Sequence, residues 1–304
     1  MTKRCNIFLL GVFFIFIFVL SSCKSYAPVH STDQKKPKYI FLFIGDGMGM
    51  NHVSLTTHYL QTVGGSLSFT GFPSFADCTT YCRNNTITDS GAAGSAIACG
   101  EKADYGVISY YPWFTQDSMP RSIAKIAHAH GMKVGIITTV SIDHATPAAF
   151  YAVNESRSNY YEIGSQLAES DFEFFGGGGF KYPKGQDDSQ EDLYLKAQQS
   201  GYLVTSDLIV AQNADTSLKG VMFVNSVLES SSDMPYAIDR DEAGGNSLAE
   251  IVNSAIKYLD NKNGFFIMVE GGKIDWASHG NDAATIVHEV YDFDLAILEA
   301  LAFY

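Results

Sequence analysis

Short, unbroken runs of apolar residues recur along this chain and predict buried strands. The first is Tyr39–Ile44, which mixes aromatic and β-branched side chains, and others follow at Met132–Thr139 and Phe265–Val269. Runs of this length and continuity are typical of strands that are buried on both faces, as in the middle of a parallel sheet. A segment rich in Thr, Phe and Tyr, Phe75–Cys82, predicts a further strand.

Segments with helical caps or helical spacing lie between these runs and predict helices. Ser247 and Glu250 form a capping box before a helix that ends near Leu259. The other predicted helices are residues 51–62 with Asn51 as a candidate cap, the small residues after Ser90, residues 118–131 between a Ser118 cap and Gly131, a short helix begun by Pro147, and a final helix over Ile286–Leu301.

The order of these elements predicts the fold class. Strands alternate with helices throughout, and no internal repeat is visible. This alternation is typical of an α/β fold, which we expect to be a three-layer sandwich with a central, mostly parallel sheet and helices on both faces. Residues 176–245 are the least regular part, with an amphipathic stretch near 190–199 and a short apolar run at 221–224.

Residues 1–22 predict a bacterial secretory signal that is not part of the fold. Two cationic residues precede an almost wholly apolar segment, Ile7–Leu20, and small residues follow it. Leu20-Ser21-Ser22-Cys23 is similar to the lipoprotein box, so we expect export and a lipid at Cys23 that holds the protein on a bacterial membrane surface, facing the periplasm or the exterior. A transmembrane anchor is the alternative, although the apolar segment is short for a span of about 20 residues.

Residues 23–38 are polar and predict a tether between the lipid and one domain at 39–304. The formal net charge of −13 argues against nucleic-acid binding, which needs a basic face, but it does not exclude phosphate substrates if the site carries cations. Cys78, Cys82 and Cys99 are the cysteines of this domain, and three thiols permit at most one disulfide. Their spacing does not match a zinc site.

Two of the predicted strands end in a carboxylate beside glycines. Asp46 lies between two glycines, and Glu270 is followed by two. Glycine permits tight turns and the close approach of a ligand. Because ligands of open α/β sheets bind beyond the carboxyl ends of the strands, we expect Asp46 and Glu270 at one edge of the sheet, where a metal or a phosphate is held. For Asp46 taken alone, a helix cap is the competing interpretation.

Further candidate residues lie near these strand ends. Asp275 and His279 are spaced i, i+4, as helical metal ligands are; such a pair alone is commonly a surface pair, but its position after Glu270 favours a metal site. Ser90 is predicted at a helix N-terminus, where free N–H groups favour an anion. No histidine base is near Ser90, so a metal is its expected activator. Arg157 is suited to bidentate binding of phosphate.

Three segments resemble the motifs of the metal-dependent alkaline phosphatase family. They are Ile87–Ser95, His144–Ala148 together with Arg157, and Glu270–His279. The resemblance runs from about Tyr39 to the end of the chain, and Ser95, where the family usually has Thr, is a minor departure. It implies an alkaline-phosphatase-like fold and a hydrolase of phosphate monoesters that uses two zinc ions and one magnesium ion.

The resemblance also implies which residues hold the zinc ions. Asp46 would bridge one zinc ion and the magnesium ion. Ser90 would ligate that zinc and attack phosphorus to form a phosphoserine. Asp275 and His279 would hold the other zinc, and two such cations stabilise the entering and leaving oxygens of an in-line displacement.

The remaining implied roles concern magnesium and phosphate. Thr146 and Glu270 would complete the protein ligands of the magnesium ion, and Arg157 would bind the phosphate oxygens. His144 and Trp276 lie where family members vary, and we expect both beside the ligands, with His144 kept among the candidate metal residues.

The end of the chain departs from the family. The resemblance implies a further strand and more zinc ligands after the last helix, whereas this chain ends at Tyr304. The candidates that follow His279 are expected mostly on the polar side of the last helix: Asp282, His288, Glu289, Asp292, Asp294 and Glu299. Each zinc is left with two protein ligands where a catalytic zinc has three, so we expect a truncated product of low activity and stability.

Two other functions stay open at this point. A truncated chain could be a non-catalytic lipoprotein that binds phosphate or metal. A related phosphodiesterase or sulfatase-like hydrolase is the alternative within the enzymes, although the Asp89-Ser90-Gly91-Ala92 motif with Arg157 disfavours it. The sequence leaves open whether two copies pair as a homodimer.

Overall fold

Six parallel strands form the central sheet in a computed structural model that describes residues 36–230 and 232–304. Their order across the sheet is β1-β6-β2-β3-β5-β4. The strands are β1 Tyr39–Gly45, β2 Lys133–Thr138, β3 Phe174–Gly177, β4 Tyr202–Thr205, β5 Gly220–Val224 and β6 Phe265–Gly271.

Helices connect the strands, as parallel pairing requires. The α-helices of the described residues are α1 Met50–Thr62, α2 Ser90–Cys99, α3 Ile123–Ala129, α4 Ala145–Tyr151, α5 Tyr160–Ser165, α6 Leu193–Gln199, α7 Leu208–Gln212, α8 Arg240–Ala243, α9 Leu248–Leu259, α10 Lys273–His279 and α11 Ala283–Phe303. Short 3₁₀ helices lie at Phe69–Gly71, Gln116–Ser118 and Leu167–Glu169.

The side chains of β6 divide the core into two layers. Phe265, Ile267 and Val269 pack on one face of the sheet with apolar residues of α9, α10 and α11. Phe266 and Met268 point the other way and pack with residues of α2 to α6. Because successive side chains of a strand alternate between the two faces, helices cover both faces of the sheet. The predicted three-layer α/β sandwich is confirmed.

Strand register brings three strand ends together. In the pairing of β1 with β6, Ile44 lies opposite Glu270, and Asp46 then donates its backbone N–H to the Gly271 carbonyl oxygen at 3.3 Å. In the pairing of β2 with β6, Thr138 lies opposite the same Glu270. The carboxyl ends of β1, β6 and β2 therefore lie side by side at one end of the sheet.

Some predicted elements differ in the structure. Phe75–Cys82 is irregular rather than a strand, and Phe75 is 77% exposed, so strand propensity is not supported there by a pairing partner. The helix predicted at 118–131 is the shorter α3. Its cap is Ser122, which accepts the Lys125 N–H and donates its hydroxyl to the Phe150 carbonyl oxygen, so a tertiary contact determines where the helix begins. Helix α1 is capped at Gly49, not Asn51.

The acidic residues of α11 were expected mostly on its polar side, and for three of them this is wrong. Glu289, Asp292 and Asp294 are buried, at 2%, 4% and 0% exposure. Each carboxylate holds a distant segment: Glu289 accepts the Ala237 N–H, Asp292 pairs with Arg240, and Asp294 accepts the Ser68 N–H and hydroxyl. These partners satisfy the carboxylates inside the core.

The predicted signal, the lipid site at Cys23 and most of the 23–38 tether lie outside the described residues. Among the helices that the structure does describe, none has the length and apolar character needed to span a membrane.

Candidate active site

Asp46 and Ser90 meet through a direct hydrogen bond. Ser90 is the first residue of α2, and its hydroxyl donates to Asp46 Oδ2 at 2.9 Å. Asp46 directly follows β1, in a turn where Gly47 has φ +63°. A Cβ on Gly47 would lie 2.5 Å from Asp275 Oδ1, so this turn needs glycine both for its backbone conformation and for the close approach of Asp275.

Asp46, His144 and Glu270 form a compact cluster. One potential ligand atom from each residue lies within 4.8 Å of the others. Glu270 is fully buried, and its Oε2 accepts the Thr138 hydroxyl. Glu270 Oε1 and His144 Nδ1 are buried without a hydrogen-bond partner. Two unpartnered buried polar atoms in one cluster indicate that a further group belongs there.

The environment shifts the pKa values of all three residues. Burial, followed by the charge of Asp46, raises the pKa of Glu270 to about 8. Burial, followed by the charge of Asp275, raises the pKa of Asp46 to about 6. Burial, followed by the charges of Arg157 and Lys181, lowers the pKa of His144 to about 3, so its imidazole is neutral. A cation among these groups would relieve the repulsion between the carboxylates.

The donor atoms fit a divalent cation. Two carboxylates and the Thr146 hydroxyl offer the oxygen ligands that Mg²⁺ prefers, and a neutral imidazole suits Zn²⁺. The hydrogen bond from Thr138 to Glu270 orients the carboxylate, as the groups around metal ligands do.

Arg157 lies beside this cluster, between Asp89 and His144. Its Nη1 donates to Asp89 Oδ2 at 2.9 Å, and its Nη2 donates to His144 Nε2 at 3.2 Å. Burial acts to raise the pKa of Asp89, but hydrogen bonds from the Gly106 N–H and from Arg157 lower it overall. Asp89 is therefore a charged anchor for the guanidinium group.

Asp89 also changes the expected chemistry at the start of α2. Its carboxylate accepts the N–H groups of Gly91 at 3.0 Å and Ala92 at 3.2 Å. Two of the N–H groups that were expected to favour an anion here are therefore already bound. The small residues of α2 permit close packing against α4, because a Cβ on Gly94 would lie 3.3 Å from Thr146 Cα.

Asp275 and His279 come together on α10. Asp275 Oδ2 lies 3.4 Å from His279 Nε2, and the side chains are 24% and 81% exposed. Asp275 is close enough to Asp46 to raise its pKa. The structure therefore places this pair on the solvent side of the cluster. Trp276, expected beside the ligands, has its ring centroid 6.0 Å from that of His144.

Two residues near the site were missed by sequence reasoning. Thr138 could have been recognised from the sequence, because it lies near the end of a predicted strand, where the site residues were expected. Lys273 gave no local signal: it is 1% exposed, and its Nζ donates to Glu229 Oε2 at 2.7 Å, Asp233 Oδ2 at 2.8 Å and the Met234 carbonyl oxygen at 2.8 Å. Those acceptors come from the least regular part of the chain.

Comparison with known proteins identifies the family. The family model described as "Alkaline phosphatase" matches residues 37–304. Alkaline phosphatase 4 of Bacillus subtilis is 31% identical over 298 residues, which cover 91% of this chain and 60% of that protein. The tissue-nonspecific isozyme of Gallus gallus is 32% identical over 319 residues, covering 87% and 60%. The chain spans about 60% of the length of these relatives.

Solved structures agree with this assignment. Alkaline phosphatase from the Antarctic bacterium TAB5 superimposes with a TM-score of 0.76 at 33% identity, covering 88% of this chain and 75% of that one. A TAB5 mutant with Mg bound also gives a TM-score of 0.76, at 32% identity over 88% of this chain and 73% of that one. The family match includes every candidate site residue described above, and this chain belongs to the alkaline phosphatase family.

Proposed function

We propose that this protein hydrolyses phosphate monoesters through a phosphoserine at Ser90. The observation that carries the proposal is the hydrogen bond of the Ser90 hydroxyl to Asp46, inside a cluster with a buried carboxylate and a neutral imidazole. The Ser90 oxygen attacks phosphorus, the bond from phosphorus to the alcohol oxygen breaks, and water then releases phosphate from the serine. Membership in the alkaline phosphatase family supports the same reaction.

The protein's own groups have defined tasks in this reaction. Asp46 Oδ2 accepts the Ser90 proton and so directs a lone pair of the hydroxyl oxygen towards the substrate. Arg157 uses one N–H on Asp89 and one on His144, which leaves three of its five donors for phosphate oxygens. Because Asp89 and His144 fix the guanidinium group, the Arg157 side chain loses little conformational freedom when phosphate binds.

The metals form part of the same proposal. Asp46, His144, Thr146 and Glu270 are the residues that would hold magnesium, whereas Asp46, Ser90, Asp275 and His279 are those that would contribute to two zinc sites. Bound cations supply stabilisation of the charge that develops on the entering and leaving oxygens. The unpartnered Oε1 of Glu270 supports a cation beside these residues.

Trapping of the phosphoenzyme tests the nucleophile. We expect wild-type protein, loaded with zinc and magnesium, to retain labelled phosphate after an acid quench, and Ser90→Ala to retain none while still binding Mg²⁺. Ser95→Ala is the matched control, because Ser95 donates to the Gly91 carbonyl oxygen at 2.6 Å and accepts the Ser109 N–H. The Ser95→Ala variant should keep the phosphate label and lose only folding stability. Equal labelling of Ser90→Ala and wild type would show that the nucleophile lies elsewhere.

Substrate comparison tests the reaction class. We expect a chromogenic phosphate monoester to be hydrolysed faster than the matching diester and sulfate ester. Arg157 and cations bound at the cluster would favour the phosphate monoester, because it carries the higher negative charge. Faster hydrolysis of the diester or the sulfate ester would contradict the proposal. Metal binding without turnover of any of the three would favour a non-catalytic binding protein.

We further infer that the protein is exported and lipidated at Cys23, which the sequence of residues 1–23 supports. In a bacterial host, a labelled fatty acid should be incorporated into the wild type and into Cys5→Ser, but not into Cys23→Ser. Label on the Cys23→Ser protein would exclude this site.

A further inference from the structure

Lys181 is a cationic residue whose backbone is fixed next to the cluster described above. Residues 178–181 follow β3 and run alongside residues 140–143, which follow β2, through two backbone hydrogen bonds of 3.2 and 3.0 Å. The Lys181 N–H then donates to the Asp143 carboxylate, with Oδ2 at 3.0 Å. Because Asp143 directly precedes His144, these contacts place Lys181 beside the cluster.

Glycines at the end of β3 permit this close approach of the two segments. A Cβ on Gly178 would lie 2.5 Å from the Val140 carbonyl oxygen, and one on Gly177 would collide with the Thr138 carbonyl oxygen. Side chains at these positions would push the segment that carries Lys181 away from the end of β2.

Two tyrosine rings hold the side chain of Lys181. Its Nζ lies 4.5 Å from the centroid of the Tyr160 ring and 5.8 Å from that of the Tyr182 ring. The two rings contact each other edge to face, with their centroids 5.8 Å apart. Ring faces attract an ammonium group without neutralising its charge. Tyr160 comes three residues after Arg157, so the segment that supplies the guanidinium group also orients the lysine.

The charge and the hydroxyl donors of this group are not used within the part of the chain that the structure describes. No carboxylate there pairs with Lys181 Nζ, and neither the Tyr160 nor the Tyr182 hydroxyl has a hydrogen-bond partner there. Lys184, three residues further along the same loop, does have an acidic partner, because its Nζ lies 3.8 Å from Asp192. An ammonium group and two hydroxyls therefore remain available to a ligand.

The charge of Lys181 acts on the cluster. The pKa of His144 is lowered by burial, then by Arg157 and then by Lys181. Asp143 meets Lys181 through the backbone N–H rather than through Nζ, and burial raises the pKa of this carboxyl to about 7. Positive charge thus extends from Arg157 towards Lys181 in a protein whose net charge is −13.

We propose that Lys181, with the Tyr160 and Tyr182 hydroxyls, is a subsite for a carboxylate on the alcohol part of the substrate. The proposal rests on the proposed phosphatase function and narrows its substrates to phosphate monoesters of hydroxy acids. The reacting phosphate would bind at Ser90 and Arg157, and the carboxylate would accept hydrogen bonds from the subsite. A single ammonium charge matches a singly charged carboxylate better than a second, doubly charged phosphate.

Calorimetric titration with two phosphonates tests the subsite without turnover. 4-(Phosphonomethyl)benzoate and 4-(phosphonomethyl)benzamide share a phosphonate that cannot be hydrolysed, and they differ in the charge of the second group. We expect wild-type protein loaded with zinc and magnesium to bind the benzoate at least about threefold more tightly, and this preference to decrease as salt is added. Lys181→Met should remove the preference while its affinity for the benzamide, which also reports correct folding, stays within about twofold of wild type.

Three further variants identify the groups responsible. Lys184→Met is the matched control, because it removes a lysine of the same loop that already has a partner, and it should keep the preference. Lys181→Arg keeps the charge and should also keep the preference. The double variant Tyr160→Phe/Tyr182→Phe retains both rings and should lower the preference, because two hydrogen-bond donors are lost.

The possible results separate this proposal from the proposed function. Equal binding of the two phosphonates by wild-type protein, or a preference that survives in Lys181→Met, would overturn the subsite alone. Loss of the preference in Lys184→Met as well would show a general effect of positive charge and would also overturn it. Failure of both phosphonates to bind would overturn the phosphate site itself, and the subsite with it.

Discussion

At the scale of single residues, the turn after β1 shows how one glycine supports the proposed metal site. Gly47→Ala adds a Cβ where Asp275 Oδ1 would be 2.5 Å away, in a backbone with φ +63°. We expect Asp275 and Asp46 to shift, and the affinity for Mg²⁺ to fall by about 10- to 100-fold, as when the support of a metal ligand is removed. Calorimetric titration of Mg²⁺ into chelator-treated protein measures this change.

Gly64→Ala is the matched control for that substitution. Gly64 has φ +77°, but nothing lies within 4 Å of the Cβ that the substitution would add, so the same backbone strain occurs without a steric conflict. Each alanine should cost about 1–2 kcal/mol of unfolding free energy for its left-handed conformation. If Gly64→Ala lowered the Mg²⁺ affinity as much as Gly47→Ala, strain rather than displacement of Asp275 and Asp46 would be the cause.

At the scale of elements, α10 is anchored through the buried side chain of Lys273. Its Nζ contacts Glu229, Asp233 and the Met234 carbonyl oxygen, and its backbone N–H donates to Thr139 Oγ1 at 3.1 Å. Lys273→Met leaves Asp233, at 1% exposure, without its cation. We expect the free energy of unfolding in urea to fall by about 3–5 kcal/mol, as when one partner of a buried ion pair is removed.

Lys184→Met provides the comparison for an exposed pair. Lys184 lies 3.8 Å from Asp192, and its side chain is 50% exposed. Its loss should change the free energy of unfolding by less than about 1 kcal/mol, because solvent screens such pairs. A loss of similar size in both variants would show that burial of Lys273 does not determine its contribution.

Elements with a strong local pattern could be predicted from the sequence, and the others could not. The continuous apolar runs indicated β1, β2 and β6, and the capping box at Ser247 indicated α9. The beginning of α3 and the burial of Asp292 depend on contacts with Phe150 and Arg240, which lie far away along the chain. No local pattern encodes those contacts.

Some features of the candidate site could likewise be predicted from the sequence, and others could not. Its carboxylates could be predicted because they follow strands, and strand ends meet at one edge of a parallel sheet. The interaction of Arg157 with Asp89, and of Glu270 with Thr138, depends on which strands and helices become neighbours. These contacts therefore required the structure.

At the scale of the whole molecule, the buried carboxylates link folding stability to pH. Without metal, native Glu270 keeps its proton up to pH about 8, whereas the unfolded chain loses it above the usual 4.5. The native state then binds more protons, so stability falls as pH rises through this window, by at most about 1.4 kcal/mol per pH unit. His144 acts in the opposite direction, but below its usual 6.5, since its pKa is lowered to about 3.

Urea unfolding between neutral pH and pH 8, with chelator or with saturating Mg²⁺, tests this linkage. We expect the chelated protein to lose stability over this range and Mg²⁺ to reduce the loss, because a cation favours the ionised carboxylates. Burial raises the pKa values of Asp143 and Glu289 to about 7, and neither belongs to the cluster, so their smaller contribution should persist with Mg²⁺. Identical pH dependence with and without Mg²⁺ would contradict the assignment of the cluster as a cation site.

The position of β1 in the sheet should affect how long a bound cation stays in the proposed site. Among the described strands, β1 has β6 as its one neighbour, yet it is the strand that Asp46 directly follows. Strands at an edge open by local fluctuation more readily than interior ones. Each opening at Ile44–Gly45 would carry Asp46 away from Glu270, so the residence time of a bound cation should follow the opening rate of this edge. Saturating Mg²⁺ should slow amide hydrogen exchange at the end of β1 and leave interior β3 unchanged; equal slowing in both strands would point to a global effect.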